Sequence, residues 1–312
     1  MPRRHDDSWD ITESVGITAL GVAAARASET ESADPLIRDP FAQLFLDAAG
    51  DGPWSFYFGP RSGEDTELDA ESEQRRRVMI DYMACRTAFF DEFFLNATES
   101  GIRQIVIVAS GLDSRAWRLP WPDGVVVYEI DQPRVLEFKS ATMHAGGAEP
   151  ACTRVEVAVD LRRDWPTTLR DKGFDTSAPS AWSTEGLLPY LPADAQDLLF
   201  ERIDALSCPD ARLAIESLPI DFPDSPWVAR RREQMERQRA AAAKAGRTGM
   251  PNVPDLWYFE KRTDVAAWLQ SRGWQVSVEP SVDLLDRYRR LPPDDLAQGL
   301  PPNKFVTARR GE

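Results

Sequence analysis

Residues 105–131, IVIVASGLDSRAWRLPWPDGVVVYEID, read as a buried strand, a loop, a tryptophan-bearing turn and a second strand ending in an acid. Apolar β-branched runs of this length, bounded by Gly and Pro, are the signature of strands covered on both faces. The loop between them, ASGLDSRA, is the decisive feature. It holds one glycine, Gly111, where a dinucleotide fold carries two or three, and Asp113 follows almost at once.

Working outward, the same texture recurs. RQIVIVAS, GVVVYEID, TRVEVAVD, SAWSTEGLL, ARLAIESL, WQVSVEP and KFVTARR are the predicted strands. Between several of them lie helical patterns: QPRVLEFKSATM, DWPTTLRDKG, ADAQDLLFERIDALS and RTDVAAWLQSRG. Apolar strands alternating with helices predict an α/β fold of Rossmann-like type, a mostly parallel seven-stranded sheet with helices on both faces. The last two strands are separated by a Pro-rich stretch that reads as a loop without a helix, so the final strand is expected to enter antiparallel.

The segment before the sheet is helical and irregular. ESVGITALGVAAARASE has helical spacing, GPWSFYFGPRSGED reads as loop, and RRRVMIDYMACRTAFFDEFFLNATESG predicts a long amphipathic helix ending near Gly101. Residues 218–255, with RRREQMERQRAAAAKAG, have no strand partner and read as an inserted helical cover near the sheet's carboxyl edge. The expected organisation is one domain over 1–312. It divides into a helical N-terminal extension (1–100), a ligand-binding core (101–217), the cover (218–255) and C-terminal core strands (256–312).

The chain has 312 residues and 42% hydrophobic content, including ten Trp and fourteen Phe, ample for a packed core. A net charge of −14 argues against broad binding of nucleic acid or anionic membrane, which need a basic face. No run approaches the roughly 18 apolar residues of a membrane span. The start, MPRRHDDSWD, lacks the apolar run of a signal peptide. Cys85, Cys152 and Cys208 are scattered and odd in number, the usage of a reducing cytoplasm. With His5 and His144 as the only histidines, no metal site and no Ser-His-Asp triad is expected.

In open α/β sheets, ligands lie beyond the strands' carboxyl ends. The first four predicted strands each end in an acid: Asp113, Asp131, Asp160 and Glu185. Acids at exposed strand ends are common, yet all four strands share the feature. Asp131 stands 20 residues beyond Gly111, the interval at which an acid accepts hydrogen bonds from a ribose diol. An NAD enzyme shares that interval, but NAD seats its pyrophosphate on glycine amides that ASGLDSRA lacks, and Asp113 would repel it. A ligand with adenosine, no phosphate and a cationic end suits an acidic loop. S-adenosyl-L-methionine has those parts.

The motifs IVIVASGLDSRAWRL, VYEIDQPRVLEFK, VAVDL and WSTEGLLPYL resemble the leucine carboxyl methyltransferase-like family, in its mycobacterial-type branch. DSWDITESVGITALGVAAARA and DPLIRDPFA share the resemblance, which covers nearly the whole chain. It implies the class I methyltransferase fold and S-adenosyl-L-methionine as cofactor. It also implies roles by position: Gly111 beside the methionine part, Asp131 on the ribose, Asp160 and Leu161 reading adenine, Arg86 gripping the cofactor's carboxylate, and Glu185 lining the methionine end. The family often has G-x-G in the first loop, and here Ala109 stands for the first glycine. Simpler structural readings compete: Arg86 in a surface ion pair with Asp91 or Glu92, and Asp160 or Asp131 as helix caps.

The reaction class expected is methyl transfer to an oxygen, carboxylate or hydroxyl, of a small acceptor. An NAD(P)-dependent oxidoreductase and a catalytically silent cofactor-binding module are the other classes weighed. The arginines of the cover could meet an acidic acceptor or simply be solvated, and SPWVARR and DLWYFEKR could line a pocket or belong to the core.

Overall fold

The computed structural model describes residues 16–50, 52, 70–219, 222–230, 232–233, 236–237 and 256–311. The stretch GPWSFYFGPRSGED after its first glycine, the N-terminal residues 1–15 and most of the predicted cover lie outside the described residues.

Among the described residues, three helices precede the sheet: α1 (Gly16–Thr30), α2 (Ala42–Ala49) and α3 (Ala70–Glu99). Helix α3 is apolar on more than one stripe because it is covered from two sides. Phe90 and Phe94 are completely buried, and Tyr82 and Ala84 nearly so. It stops where the sequence places glycine. Gly101 takes φ 96°, its N–H bonds Thr98 O (3.0 Å), and the Ile102 N–H bonds Ala97 O (3.2 Å). That is a Schellman closure, with Ile102 buried against the helix it ends.

The sheet contains β1 (Gln104–Val108), β2 (Val126–Asp131), β3 (Thr153–Ala158), β4 (Ser180–Thr184), β5 (Arg212–Ser217), β6 (Trp274–Pro280) and β7 (Lys304–Arg310). Their spatial order is β3-β2-β1-β4-β5-β7-β6. The first five run parallel, and β7 lies antiparallel between β5 and β6. Alternation along β1 feeds two cores. Ile105 and Ile107 pack with α1–α3, whereas Val106 and Val108 join Trp165, Trp182 and Phe200 on the opposite face. The helices covering these faces include α4 (Arg115–Arg118), α5 (Pro133–Ala145), α6 (Trp165–Asp171), α7 (Ala193–Leu206) and α8 (Val265–Ser271).

The link between β6 and β7 differs from the sequence expectation. It contains helix α9 (Ser281–Arg287) and the short α10 (Asp294–Ala297), although β7 is antiparallel as expected. Pro280 ends β6 in extended geometry, and the next turn of helix buries Leu284 and Leu285 completely. Two adjacent leucines followed by the prolines at 292 and 293 look like a loop in sequence. The apolar surface of α3, against which this helix packs, makes them a helix.

Of the predicted cover, the described part includes a 3-10 turn at Phe222–Asp224 and helical residues 226–230, with Trp227 and Val228 buried. Among the described residues no helix is long and apolar enough to cross a membrane.

Candidate cofactor site

Strand order reverses at β1, whose neighbours are β2 on one side and β4 on the other. A crevice forms outside the carboxyl ends at such a reversal. The residues expected from sequence converge there.

The loop after β1 turns through two left-handed residues. Ala109 has φ 54° and Gly111 has φ 47°. Glycine adopts such angles freely, whereas an alanine pays roughly 1–2 kcal/mol. The loop persists because its polar groups are held. Ser110 N–H bonds Ile130 O (3.1 Å), Asp113 N–H bonds Ser110 O (2.8 Å), and Gly111 N–H bonds Asp131 Oδ2 (2.7 Å). Asp131 Oδ1 accepts from Gln132 N–H (2.7 Å). Burial pushes the Asp131 carboxyl above its ordinary value, against the opposing pull of these two N–H groups. Asp131 therefore does not cap α5 in the usual sense; it ties the end of β2 to Gly111.

Arg86 is not in a surface ion pair. It is buried on α3, donates from Nε to Glu185 Oε1 (2.8 Å), and lies 3.3 Å from Glu216 Oε2 through Nη1. Glu216 also accepts from Gly186 N–H (2.8 Å). Gly186 has φ 64°, and a side chain there would meet the Arg86 guanidinium at 2.9 Å. A glycine directly after Glu185 is thus required for the arginine to lie where it does. Asp91 and Glu92, the partners considered for Arg86 from sequence, instead pair with Arg115 and Arg118, and with Arg287.

Glu185 bridges two arginines, since its Oε2 receives Arg115 Nη1 (2.8 Å). Burial alone would raise the Glu185 carboxyl, but Arg115 and then Arg86 hold it below the ordinary range. Arg115 also pairs with Asp113 and with Asp91 Oδ1 (2.6 Å), 5.7 Å above the Phe90 ring. The result is a chain of alternating charges, Arg86–Glu185–Arg115–Asp91–Arg118, with Asp113 as a branch.

That chain corrects the electrostatic argument made from sequence. Asp113 does not present a bare charge to a ligand. Burial opposes its ionisation, but Arg115 and Lys139 hold its carboxyl below the ordinary range, and its acceptors face Arg115. The case against a phosphate-bearing ligand rests on the missing glycine amides, not on repulsion by Asp113.

Asp160 and Leu161 follow β3. The Val159 N–H bonds Asp131 O (2.9 Å), so the segment runs on beside the end of β2. Leu161 packs partly buried against the core. Asp160 is engaged by Arg162, whose Nε lies 2.9 Å from Oδ1 and whose backbone N–H is 2.8 Å from it. It does not cap the next helix; Asp164 does that, accepting from Thr167 N–H (3.3 Å). Gly111 and Asp131 form one contact pair, Arg86 and Glu185 another, with Asp160–Leu161 alongside.

Sequence reasoning missed Arg115, Glu216, Tyr82, Asn303 and Lys139. Glu216 was findable, because β5 ends in an acid as the first four strands do. It accepts from Tyr82 Oη (2.5 Å) and Asn303 Nδ2 (2.7 Å). Arg115 had a weaker signal in its Asp-x-Arg spacing to Asp113. Lys139, one basic residue in an amphipathic helix, had none.

The leucine carboxyl methyltransferase family model matches residues 19–204. The chain is 59% identical over 311 residues to an S-adenosyl-L-methionine-dependent methyltransferase by name from Mycobacterium marinum, covering 99% of each chain. A Mycobacterium tuberculosis relative bearing the same name is 58% identical over 311 residues, again covering 99% of each. Among solved structures it is similar to magnesium protoporphyrin IX methyltransferase from Synechocystis with bound S-adenosylhomocysteine. That likeness has a TM-score of 0.45 and 11% identity, covering 83% of this chain and 93% of the other. With a family match across more than half of its length and relatives matched end to end, the chain belongs to the leucine carboxyl methyltransferase family and is an S-adenosyl-L-methionine-dependent methyltransferase.

Proposed function

We propose that Arg86, Gly111, Asp131, Asp160, Leu161 and Glu185 hold the cofactor, and that the methyl group passes to an oxygen of a small-molecule acceptor, a carboxylate in preference to a hydroxyl. The observation that carries the cofactor reading is the meeting of Gly111 N–H with Asp131 (2.7 Å) beside Arg86 and Glu185 (2.8 Å) at the switch in strand order. The donor set fits the group. Asp131 offers an anionic acceptor to a diol, Arg86 a guanidinium to a carboxylate, Glu185 a carboxylate to an ammonium, and the 159–161 segment a half-apolar edge for a base.

The cofactor, when bound, supplies an activated methyl group on a sulfonium, so the protein's task is alignment and exclusion of water. The buried groups nearest the site are poor proton acceptors. Glu185 is kept ionised between two arginines, and Tyr82 keeps its proton because burial and then Glu216 push the phenol well above 10. An ionised carboxylate acceptor needs no base, which favours it over a hydroxyl. For the acceptor's body we assign an apolar wall beyond β5: Trp227 stacked on Trp257 (6.0 Å between centroids), with Phe259 and Leu218. This wall is tied to the turn after β4 by Tyr258 N–H to Pro189 O (2.9 Å). Residues 218–255, mostly outside the described residues, are assigned as the cover of that acceptor space. The reduced cysteines Cys85, Cys152 and Cys208 suit a cytoplasmic setting.

A turnover screen that detects S-adenosylhomocysteine across carboxylic acids and alcohols tests the reaction, with calorimetry on S-adenosylhomocysteine and NADH beside it. Micromolar NADH binding without a response to S-adenosylhomocysteine would overturn the cofactor site. Tight cofactor binding without turnover on any acid or alcohol would make the chain a silent binding module.

A further inference from the structure

We infer that Arg26 and Lys139 are positioning residues for cofactor binding, clamping the glycine-poor loop 109–113 into its receiving shape from two separate helices. The inference rests on the reading that this loop meets the cofactor. Two of its three residues 109–111 are left-handed, and one of those two is alanine. Something outside the loop must hold such a backbone.

One of the two is Lys139 of α5. Its side chain is completely buried, and Nζ lies 3.2 Å from Ser110 Oγ, 3.2 Å from Asp113 O and 2.9 Å from Glu129 Oε2. Glu129 is itself completely buried and is also held by Arg154 (2.6 Å). Replacing buried ion pairs by apolar groups often leaves stability unchanged or improves it, so stability alone is a poor reason for this lysine. Its three contacts supply a better one, because two of them are to the loop.

The second hold comes from the helical extension. Arg26 of α1 donates from Nη2 to Leu112 O (2.6 Å), while its Nε is held by the buried Asp39 (2.7 Å). Helix α1 also lies against the loop directly, since Ala19 Cβ would stand 3.6 Å from any side-chain carbon at Gly111. Together with Asp131 on Gly111 N–H, the two cations fix Ser110, Gly111, Leu112 and Asp113 in turn. The extension before the sheet is thereby part of the cofactor loop rather than an appendage to it.

The test uses the full chain with Lys139→Met and Arg26→Lys, each alone and each combined with Ala109→Gly. Arginine reaches Asp39 and Leu112 O at once, which lysine with one donor centre cannot do. Affinity for S-adenosylhomocysteine by calorimetry and the denaturant midpoint are read on every protein. Each single variant should lose about tenfold in affinity while remaining folded. Ala109→Gly should recover most of that loss, since glycine adopts the left-handed angle without a clamp. Affinity within twofold of wild type in both folded variants overturns the inference. So does loss of fold in both, Ala109→Gly included, which would assign the two cations to the core. A wild-type protein that fails to bind S-adenosylhomocysteine overturns the cofactor site and the clamp together, whereas binding by the wild type with unaltered variants overturns the clamp alone.

Discussion

Asp131→Asn separates ligand recognition from support of the loop. In the folded protein both carboxylate oxygens accept backbone N–H groups, from Gly111 and Gln132, each at 2.7 Å. Asparagine has one acceptor oxygen and one NH2, so one of these N–H groups must face another donor. An N–H left unpaired there costs about 1–3 kcal/mol. Removing a charge that burial disfavours offsets part of that, so the expected net loss of stability is about 1 kcal/mol. Binding should suffer more. A ribose diol donating to a carboxylate makes charge-assisted bonds of roughly 1.5–3 kcal/mol each, and losing one is at least tenfold in affinity. The pH dependence gives a second readout. The folded carboxyl titrates above its ordinary 3.8. Wild-type stability should therefore fall as pH rises from about 3.8 to the folded value, and cofactor affinity should rise through that higher value. Asp131→Asn should show neither limb. Calorimetry with S-adenosylhomocysteine from pH 4 to 7, beside denaturant midpoints, makes the comparison. Affinity within twofold of wild type in a folded Asp131→Asn protein would refute the placement of the ribose.

Arg115→Met should be strongly destabilising, by about 3–5 kcal/mol, because it strands Asp113, Asp91 and Glu185 without their shared cation; a denaturant midpoint reads this. Glu185→Gln should flatten the acid limb of stability. The Glu185 carboxyl lies below its ordinary 4.5, so its contribution is present above that value and lost as pH falls through the folded one. Urea midpoints between pH 2 and 6 check the slope. Leu284→Ala should cost about 2–5 kcal/mol, since the side chain is completely buried on a helix that sequence alone reads as loop; thermal unfolding would show it, with cofactor affinity unchanged in the folded fraction.

The seven strands and their order of appearance were legible because most are apolar β-branched runs between breakers, a signal that needs no partner; β4, SAWST, is the weakest of them. Helix α9 was not, since its two core leucines acquire a helical period only when α3 stands opposite. Arg86, Gly111, Asp131 and Glu185 were placed at strand ends or by resemblance, and they lie together. Asp113 shows the limit of reading charge from a string. Its acid was visible, but Arg115 two positions on was not recognisable as its partner, because the loop has to fold before the guanidinium turns back. Arg26 was out of reach for the same reason: its acceptor, Leu112 O, is a backbone atom 86 residues away.

The position of β7 bears on how this protein is made. Strand β7, residues 304–310, fills the gap between β5 and β6, so a ribosome that has completed residue 303 has produced two sheet edges that nothing yet joins. Asn303, at the threshold of that strand, donates to both Tyr82 (2.9 Å) and Glu216 (2.7 Å), and Glu216 in turn steadies Gly186 and Arg86. Pairings this distant in sequence form late and slowly. Nascent chains therefore carry open strand edges that need protection until residues 304–310 have been added, and the Glu216–Asn303 support of Arg86 is completed only at that stage.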